Sequence, residues 1–515
     1  MISEVDLRIQ MFSSFVRNGY SMNTALSQPF AKRKTTFLLF AIVCLGSLLR
    51  LFGLGHESLW NDELSSCLRS SYATLSEVIT KGVIPDVHPP GYQILLYYVE
   101  NTIGDSAVSL RLPSAIAGIL TIPIVFHIGR KLFSNSSALL ASAMLAVSPV
   151  HIWLSQEARP YAILILLTTA SVSTLLNLLS NLNECRSLGF WNSAGFILMG
   201  ILLEYTHYFG LLIFLLEIAV LCFISLRVRR SILAVIGMSI APLLAYIPWI
   251  PVAVSQSGTG SYITPPAIKT LAILFFEYMG WSKFLLGIFA VTISAAGFIF
   301  FKDQSSKKVF NSQNVAVPTL WLILPLVVSL IISFTLVPVF TIRNMMIALP
   351  AVFLLFAAAI HILFRSVWQR NTFGTAICFF MLFSLFFVRK HYTEPHRNQF
   401  REAAYFVAHN HNGEENTVII ASAWNTSYFD YYFERSPGNL SVDMKATESV
   451  AYGQFQNLID SRSPNEVWLL WGHLEPDSSL IDSISSQFDK SQNYPFHGAG
   501  VWHFLSISPE HTKSL

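Results

Sequence analysis

Apolar runs of about 17 to 20 residues recur about eleven times along this chain, and each is long enough to cross roughly 30 Å of hydrocarbon as a helix. They start near Phe37, Leu112, Ala138, Tyr161, Trp191, Phe209, Ile232, Trp281, Pro318, Met345 and Phe373. A soluble globular fold has no use for so many, so the chain reads as an α-helical polytopic membrane protein. Composition agrees: 53 % of residues are hydrophobic, 12 % are charged, and mean hydropathy is +0.51. A formal charge of +3 gives no argument for nucleic acid.

Basic residues cluster in alternate connections. Lys32-Arg33-Lys34, Arg130 with Lys131, Arg186, Arg227 with Arg229 and Arg230, Lys302 with Lys307 and Lys308, and Arg365 with Arg370 fall on one side. The opposite connections hold isolated cations such as Arg159, Lys269 and Arg343. By the positive-inside rule, residues 1–36 are a cytoplasmic N-terminal segment, although Arg389-Lys390 after the last run points the other way. The first run has no small-residue cleavage site and many spans follow it, so it reads as a retained anchor. The five cysteines lack the spacing of a disulfide or metal framework.

In this orientation residues 37–390 form the membrane domain, with a long external loop over 53–110. The stretch after Pro89 is apolar but about half a span long, which suits an interfacial helix. Residues 391–515 carry no spanning run and read as an external soluble α/β domain. Arg401–Asn410 has helical spacing, and Thr417–Ser422 and Glu466–Trp471 are short buried strands. No glycine-rich phosphate loop is present. Residues 255–266, rich in Gly, Ser and Pro, form the clearest external loop.

Chemistry-bearing residues gather at the external face. Asp62 and Glu63 are adjacent, so on a helix they point about 100° apart and take separate jobs. One carboxylate within reach of a hydroxyl or amine is what general-base chemistry needs; two solvated surface acids are the plain alternative. Glu157 and Arg159 join two runs at the same face, either as part of a site or as a surface ion pair. Asp86-Val-His88-Pro89-Pro90-Gly-Tyr92 places a histidine, able to bind phosphate or move a proton, before a proline helix start. Arg343 and Arg111 open spans, where an arginine meets a phosphate or simply snorkels. His207 sits in a short external turn and reads as structural by itself. Glu217, inside a span, reads as an internally hydrogen-bonded acid.

The order Trp60-Asn-Asp62-Glu63, His88-Pro89-Pro90-Gly-Tyr92, Arg111-Leu-Pro-Ser114 with Gly118, Ser148-Pro149, and Ser155-Gln-Glu157-Ala-Arg159-Pro-Tyr161 resembles that of GT-C glycosyltransferases. The nearest branch is similar to family 39 protein mannosyltransferase-like enzymes and lipid A aminoarabinose transferases. The resemblance implies inverting transfer of a sugar from a polyprenyl-phosphate donor to a protein, lipid or glycan acceptor at the extracytoplasmic face of the plasma (inner) membrane. It implies Asp62 as base, Glu63 beside it and Glu157 as second acid. His88 and Arg343 would serve the donor phosphate, with Arg159, Tyr92 and His207 in the substrate-binding set. Metal use stays open, since Asp62, Glu63, Glu157 and His88 can supply ligands without forming a metal signature.

Two other classes compete with the enzyme. A transporter or flippase of lipid-linked sugars would need polar residues along a route through the bilayer. A lipid-binding receptor would tolerate loss of Asp62.

Overall fold

The structure is a computed structural model that describes residues 33–257, 263–302, 312–411, 417–423, 425–436, 443–446, 457, 459, 461–473 and 475–506. Residues 1–32 of the expected cytoplasmic segment, the basic pair Lys307-Lys308, and residues 258–262 of the Gly/Ser-rich loop lie outside these.

Among the described residues nine helices are long and apolar enough to cross a membrane, from Arg33–Leu51 to Val367–Val388. Asn135–Ala146 and Pro149–Ser155, bent by 59° at their junction, make a tenth if they are one broken span. Phe190–Thr206, at 17 residues, is roughly 26 Å long and just shorter than the rest. All the apolar runs read from the sequence lie on or beside a helix; the lower count reflects one break and one short helix. The chain is a multi-pass membrane protein with the large apolar side chains of its outer helices turned outward, as lipid permits: Leu233 is 81 % exposed and Val291 70 %. Ile342–Leu363 is the central span, its Met345, Leu349, Phe353 and Phe356 buried in the main apolar cluster.

The broken span is held together by a side chain from another helix. A break leaves carbonyls at the end of one helix without intrahelical donors. Arg50, at the end of the first span, donates to Ala146 O at 2.9 Å and Leu145 O at 3.1 Å, and its Nη2 lies 2.6 Å from His151 Nδ1. Ser148 caps the second piece through its hydroxyl, and Pro149 opens it, where a missing N–H costs nothing. Gly118 of Ala107–Leu132 lies against that piece: a Cβ there would meet Ser155 Oγ at 2.0 Å and Arg50 Nε at 3.0 Å. Only glycine lets the two helices approach this closely.

Residues 53–110 form a short-helix layer on one end of the bundle: Asn61–Ser70, a π-helical turn at Val78–Val83, and Gly91–Thr102. The last, about 18 Å long, is too short to cross, as its apolar length predicts. Beyond the last span lies a five-stranded mixed sheet in the order β2-β1-β3-β5-β4, with β1 Thr417–Ala423, β2 Met444–Ala446, β3 Glu466–Gly472, β4 Lys490–Phe496 and β5 Ala499–Leu505. Strand β1 runs parallel to β2 and β3; β5 runs antiparallel to β3 and β4.

The period of two in β1 and β3 sorts their side chains between two clusters. Val418, Ile420, Val467 and Leu469 pack under Ser478–Ser485. Ile419, Ala421, Trp468 and Leu470 join Phe400, Ala403 and Val407 of the Phe400–Asn410 helix. That second cluster continues into Leu59, Leu64, Tyr92 and Leu110, so the sheet unit and the short-helix layer share one core.

Substituting Gly118→Val is expected to destabilise the detergent-solubilised protein by about 1–3 kcal/mol, read as earlier thermal unfolding. Gly237→Ala, where a Cβ meets nothing within 4 Å, is the matched control and should unfold no earlier than the parent.

Candidate active site

Asp62 and Glu63 occupy the first turn of Asn61–Ser70, where the helix dipole favours negative charge. They go to different places. Glu63 is fully buried and grips Arg111 in a bidentate pair, Arg111 Nε donating to Oε1 at 2.8 Å and Nη2 to Oε2 at 2.6 Å. The remaining guanidinium bonds run to the carbonyls of Leu54, Glu57 and Ser58, and Glu63 Oε1 also accepts from Ala158 N at 2.7 Å. Burial pulls the Glu63 carboxyl up, but the charges of Arg111 and Arg397 and its hydrogen bonds outweigh it and hold the group at about 2. The structure thus gives Glu63 a different station from a reacting acid: it has no open side for a substrate. Arg111 is likewise no snorkelling anchor, for none of its side chain is exposed.

Asp62 faces the other way and is 29 % exposed. Its Oδ2 accepts from Arg343 Nη1 at 2.8 Å. Arg343 enters from Ile342–Met345, at the start of the central span, and lies over the Trp60 ring at 4.8 Å with Tyr161 at 5.9 Å. Its second arm is 3.7 Å from Glu157 Oε1. Glu157 lies in the turn between Pro149–Ser155 and Tyr161–Asn183, fully buried, and neither of its oxygens has a hydrogen-bond partner. Burial raises its pKa, with Arg343 and Arg397 pulling back. Glu157 and Arg159 are no surface pair: Arg159 turns to Asp62 O at 3.4 Å and Ser66 Oγ at 3.1 Å, and its ring neighbour is Tyr161.

His88 stands on a second branch. Its Nδ1 is 3.2 Å from Asp86 Oδ2, and Asp86 also pairs with Arg69 at 3.1 Å. Burial raises Asp86, but His88 and Arg69 prevail and hold it at about 2. The His88 ring meets that of His207 at 5.4 Å, and His207 meets Tyr161 at 5.9 Å. His207 is the N-cap of Tyr208–Val228, accepting from Phe209 N at 3.1 Å, and burial lowers its pKa well below the ordinary range. Tyr92 is buried in the shared core with Leu59 and Leu110, and its hydroxyl lies within the electrostatic reach of Arg159, Glu63 and Glu157. Glu217 is remote, inside Tyr208–Val228, where it accepts from Ser171 Oγ.

On the far side of Arg343 opens a cavity of about 740 Å³ lined by Trp153, Lys269, Glu277, Trp281, Arg343 and Arg389, among others. Arg389 lies 4.1 Å from the Trp281 ring centroid and 5.5 Å from that of Trp153. The cation that broke the charge pattern of the loops is thus a cavity wall. In the sequence Arg389 stands out only as an exception to the topology, Trp60 as part of the acidic motif, and Arg397 by no pattern at all. A metal fits poorly. Among the described residues no three His, Cys, Asp or Glu side chains converge in a way that would hold one, His88 is committed to Asp86 and Glu63 to Arg111. The two carboxylates that face each other across the site, Asp62 and Glu157, already share a cation in Arg343.

This architecture has the GT-C fold. Residues 87–255 match the family model described as dolichyl-phosphate-mannose-protein mannosyltransferase. The structure is similar to that of ArnT from Cupriavidus metallidurans in the apo state, with TM-score 0.59 and 10 % identity over 92 % of this chain and 98 % of that one. ArnT bound to undecaprenyl phosphate matches at 0.57 and 10 % identity, over 91 % and 98 %. The Archaeoglobus fulgidus oligosaccharyltransferase AglB, in complex with an inhibitory peptide and a dolichol-phosphate, matches at 0.48 and 12 % identity, over 93 % and 75 %. No curated protein sequence matches significantly.

Glu63→Gln leaves Arg111 buried without its counter-charge and is expected to cost about 3–5 kcal/mol of stability. Since the folded Glu63 pKa lies below its ordinary 4.5, its stabilisation is complete above that value and is lost as pH falls toward about 2. Thermal unfolding of the parent should show this loss across that window, and the variant should lack that part of it.

Proposed function

We propose that the chain is a membrane glycosyltransferase that moves a sugar from a polyprenyl-phosphate donor to a nucleophilic acceptor at the extracytoplasmic face. The observation that carries this reading is the bridge from Asp62 through Arg343 to the cavity. A base and a fixed cation stand side by side, with room for a headgroup beyond the cation. Such a pairing suits a displacement in which a proton leaves one partner while negative charge grows on the other.

Asp62 takes the proton of the acceptor hydroxyl or amine as that atom bonds to the anomeric carbon. The bond from that carbon to the phosphate oxygen breaks, and the polyprenyl phosphate departs with the electron pair. One displacement of this kind inverts the anomeric centre. Arg343, planar and permanently charged, meets the phosphate, and Arg389 and Lys269 add positive charge across the cavity. Glu157 keeps Arg343 between two acids. The apolar helices around the site let the prenyl tail stay in lipid, and undecaprenyl phosphate is the ligand bound in the ArnT structure of the same fold. Acceptor chemistry stays at the level of class: protein, lipid or glycan.

The test is transfer of radiolabelled sugar from a panel of polyprenyl-phosphate sugars to endogenous acceptors in membranes. The parent should transfer and an equally expressed Asp62→Asn should fall by about 100-fold or more, the scale of a lost general base. Arg389→Gln should raise the donor KM by about ten-fold, one charge-assisted contact, with a smaller change in kcat. Equal transfer by parent and Asp62→Asn would remove Asp62 as base. For the face, a membrane-impermeant thiol reagent applied to intact cells should label Ser478→Cys, which is exposed on the sheet unit, and spare the exposed Cys185. The reverse labelling would invert the topology.

A further inference from the structure

Between the last span and Phe400, the chain runs beneath the turn that carries Glu157. His391 Nε2 lies 2.7 Å from Gln156 Oε1, and Arg397 Nη2 donates to the Gln156 backbone carbonyl at 2.8 Å. The Gln156 amide in turn donates to Phe52 O at 2.8 Å and Arg50 O at 3.1 Å, at the end of the first span. One glutamine thus ties three segments distant in sequence, and Glu157 is the next residue. Arg397 is 6 % exposed, lies over the Trp153 ring at 5.3 Å and stands 3.7 Å from Glu57 Oε2. Such a cation is expensive to bury without a purpose.

Its place beside Glu157 gives it one. Glu157 has no hydrogen bond to fix it and is held by the electrostatic pull of Arg343, Arg397 and Arg159 against Glu63. The place of its carboxylate therefore rests on the backbone turn, and Arg397 holds that turn. The same tail braces the other acid-bearing stretch. Ser58 Oγ donates to Asn398 O at 2.5 Å, Leu59 N to Tyr432 Oη at 2.7 Å, and His396 N to Glu57 Oε1 at 3.0 Å.

We infer that Arg397 is a positioning residue of the transfer site, and that the segment joining the last span to the sheet unit completes that site by fixing Glu157 against Arg343. The kinetic part rests on the transferase reading above; the geometric part does not. Without the Arg397 bond to Gln156 O, Glu157 drifts, Arg343 is held from one side only, and the base and the phosphate contact lose their mutual alignment.

The experiment uses the full chain as parent, Arg397→Met, Arg397→Lys, Glu157→Gln, and Arg397→Met combined with Glu157→Gln. Arg397→Met should lower kcat by about 10- to 100-fold, the cost of a displaced catalytic group, with donor KM within about two-fold. Arg397→Lys should recover most of kcat, and the double variant should be no slower than Glu157→Gln alone, because both changes act on one element. Amide hydrogen exchange reads the turn without any substrate. The Ala158 amide, bonded to Glu63 Oε1, should exchange about ten-fold faster in Arg397→Met and near the parent rate in Arg397→Lys. Parent-like kcat, losses that multiply in the double variant, or unchanged exchange at Ala158 would each overturn the inference. Should Arg397→Met fail to accumulate, His391→Phe removes the other tail contact to Gln156, and unchanged Ala158 exchange there counts against it equally. A parent that transfers no sugar defeats the transferase reading, and the exchange result then decides the positioning role by itself.

Discussion

The Glu63–Arg111 pair is the interaction on which this end of the molecule depends. Two charges are out of water, which is tolerable only because each is saturated: the carboxylate by Arg111 and the Ala158 amide, the guanidinium by that carboxylate and three carbonyls. The pair ties the acid helix to the Ala107–Leu132 span and to the turn bearing Glu157. Asp62, one residue earlier, is then turned about 100° away from it and has only the opening to face. One acid serves structure so that its neighbour is aimed.

Arg343 links that aimed acid to the rest. A guanidinium between Trp60 and Tyr161 keeps a defined plane, and hydrogen bonding to Asp62 on one edge leaves the other edge toward Glu157 and the cavity. The polar groups assembled around it lie at one end of the bundle, drawn from the short-helix layer, two interhelical turns and the tail. Glu217, the acid placed deep in a span, stands apart with its serine.

Hydrophobic run length made the spans legible, because crossing lipid imposes a length and apolarity that few local choices can disguise. It could not show the break at Val147-Ser148, before which the carbonyls of Leu145 and Ala146 are satisfied by an arginine from another span. Asp62, Glu157, Arg159 and Arg343 were legible as a set by their common face and their order. The separate station of Glu63 was not: adjacent acids look alike in sequence, and which one meets Arg111 is settled by a helix packing against a distant span. Arg111 and Arg343 looked equally like interfacial anchors, and only tertiary contacts separate them from one. His207 read by itself as a structural histidine, and its place as the N-cap of Tyr208–Val228 came only with the structure. Arg397 was beyond reach, since nothing in its local sequence distinguishes a buried guanidinium from a solvated one.

The bond from Leu59 N to Tyr432 Oη joins residues 373 positions apart. During synthesis the acid-bearing helix emerges early, and the tyrosine that holds its approach strand arrives only near the end of the chain. The last described span ends at Val388, so the described membrane helices are all made before that tyrosine. That end of the bundle is therefore completed last, after the tail has folded back onto it. A chain cut before Tyr432 lacks the hydroxyl that accepts from Leu59 N, and its acid-bearing loop is left without that tie.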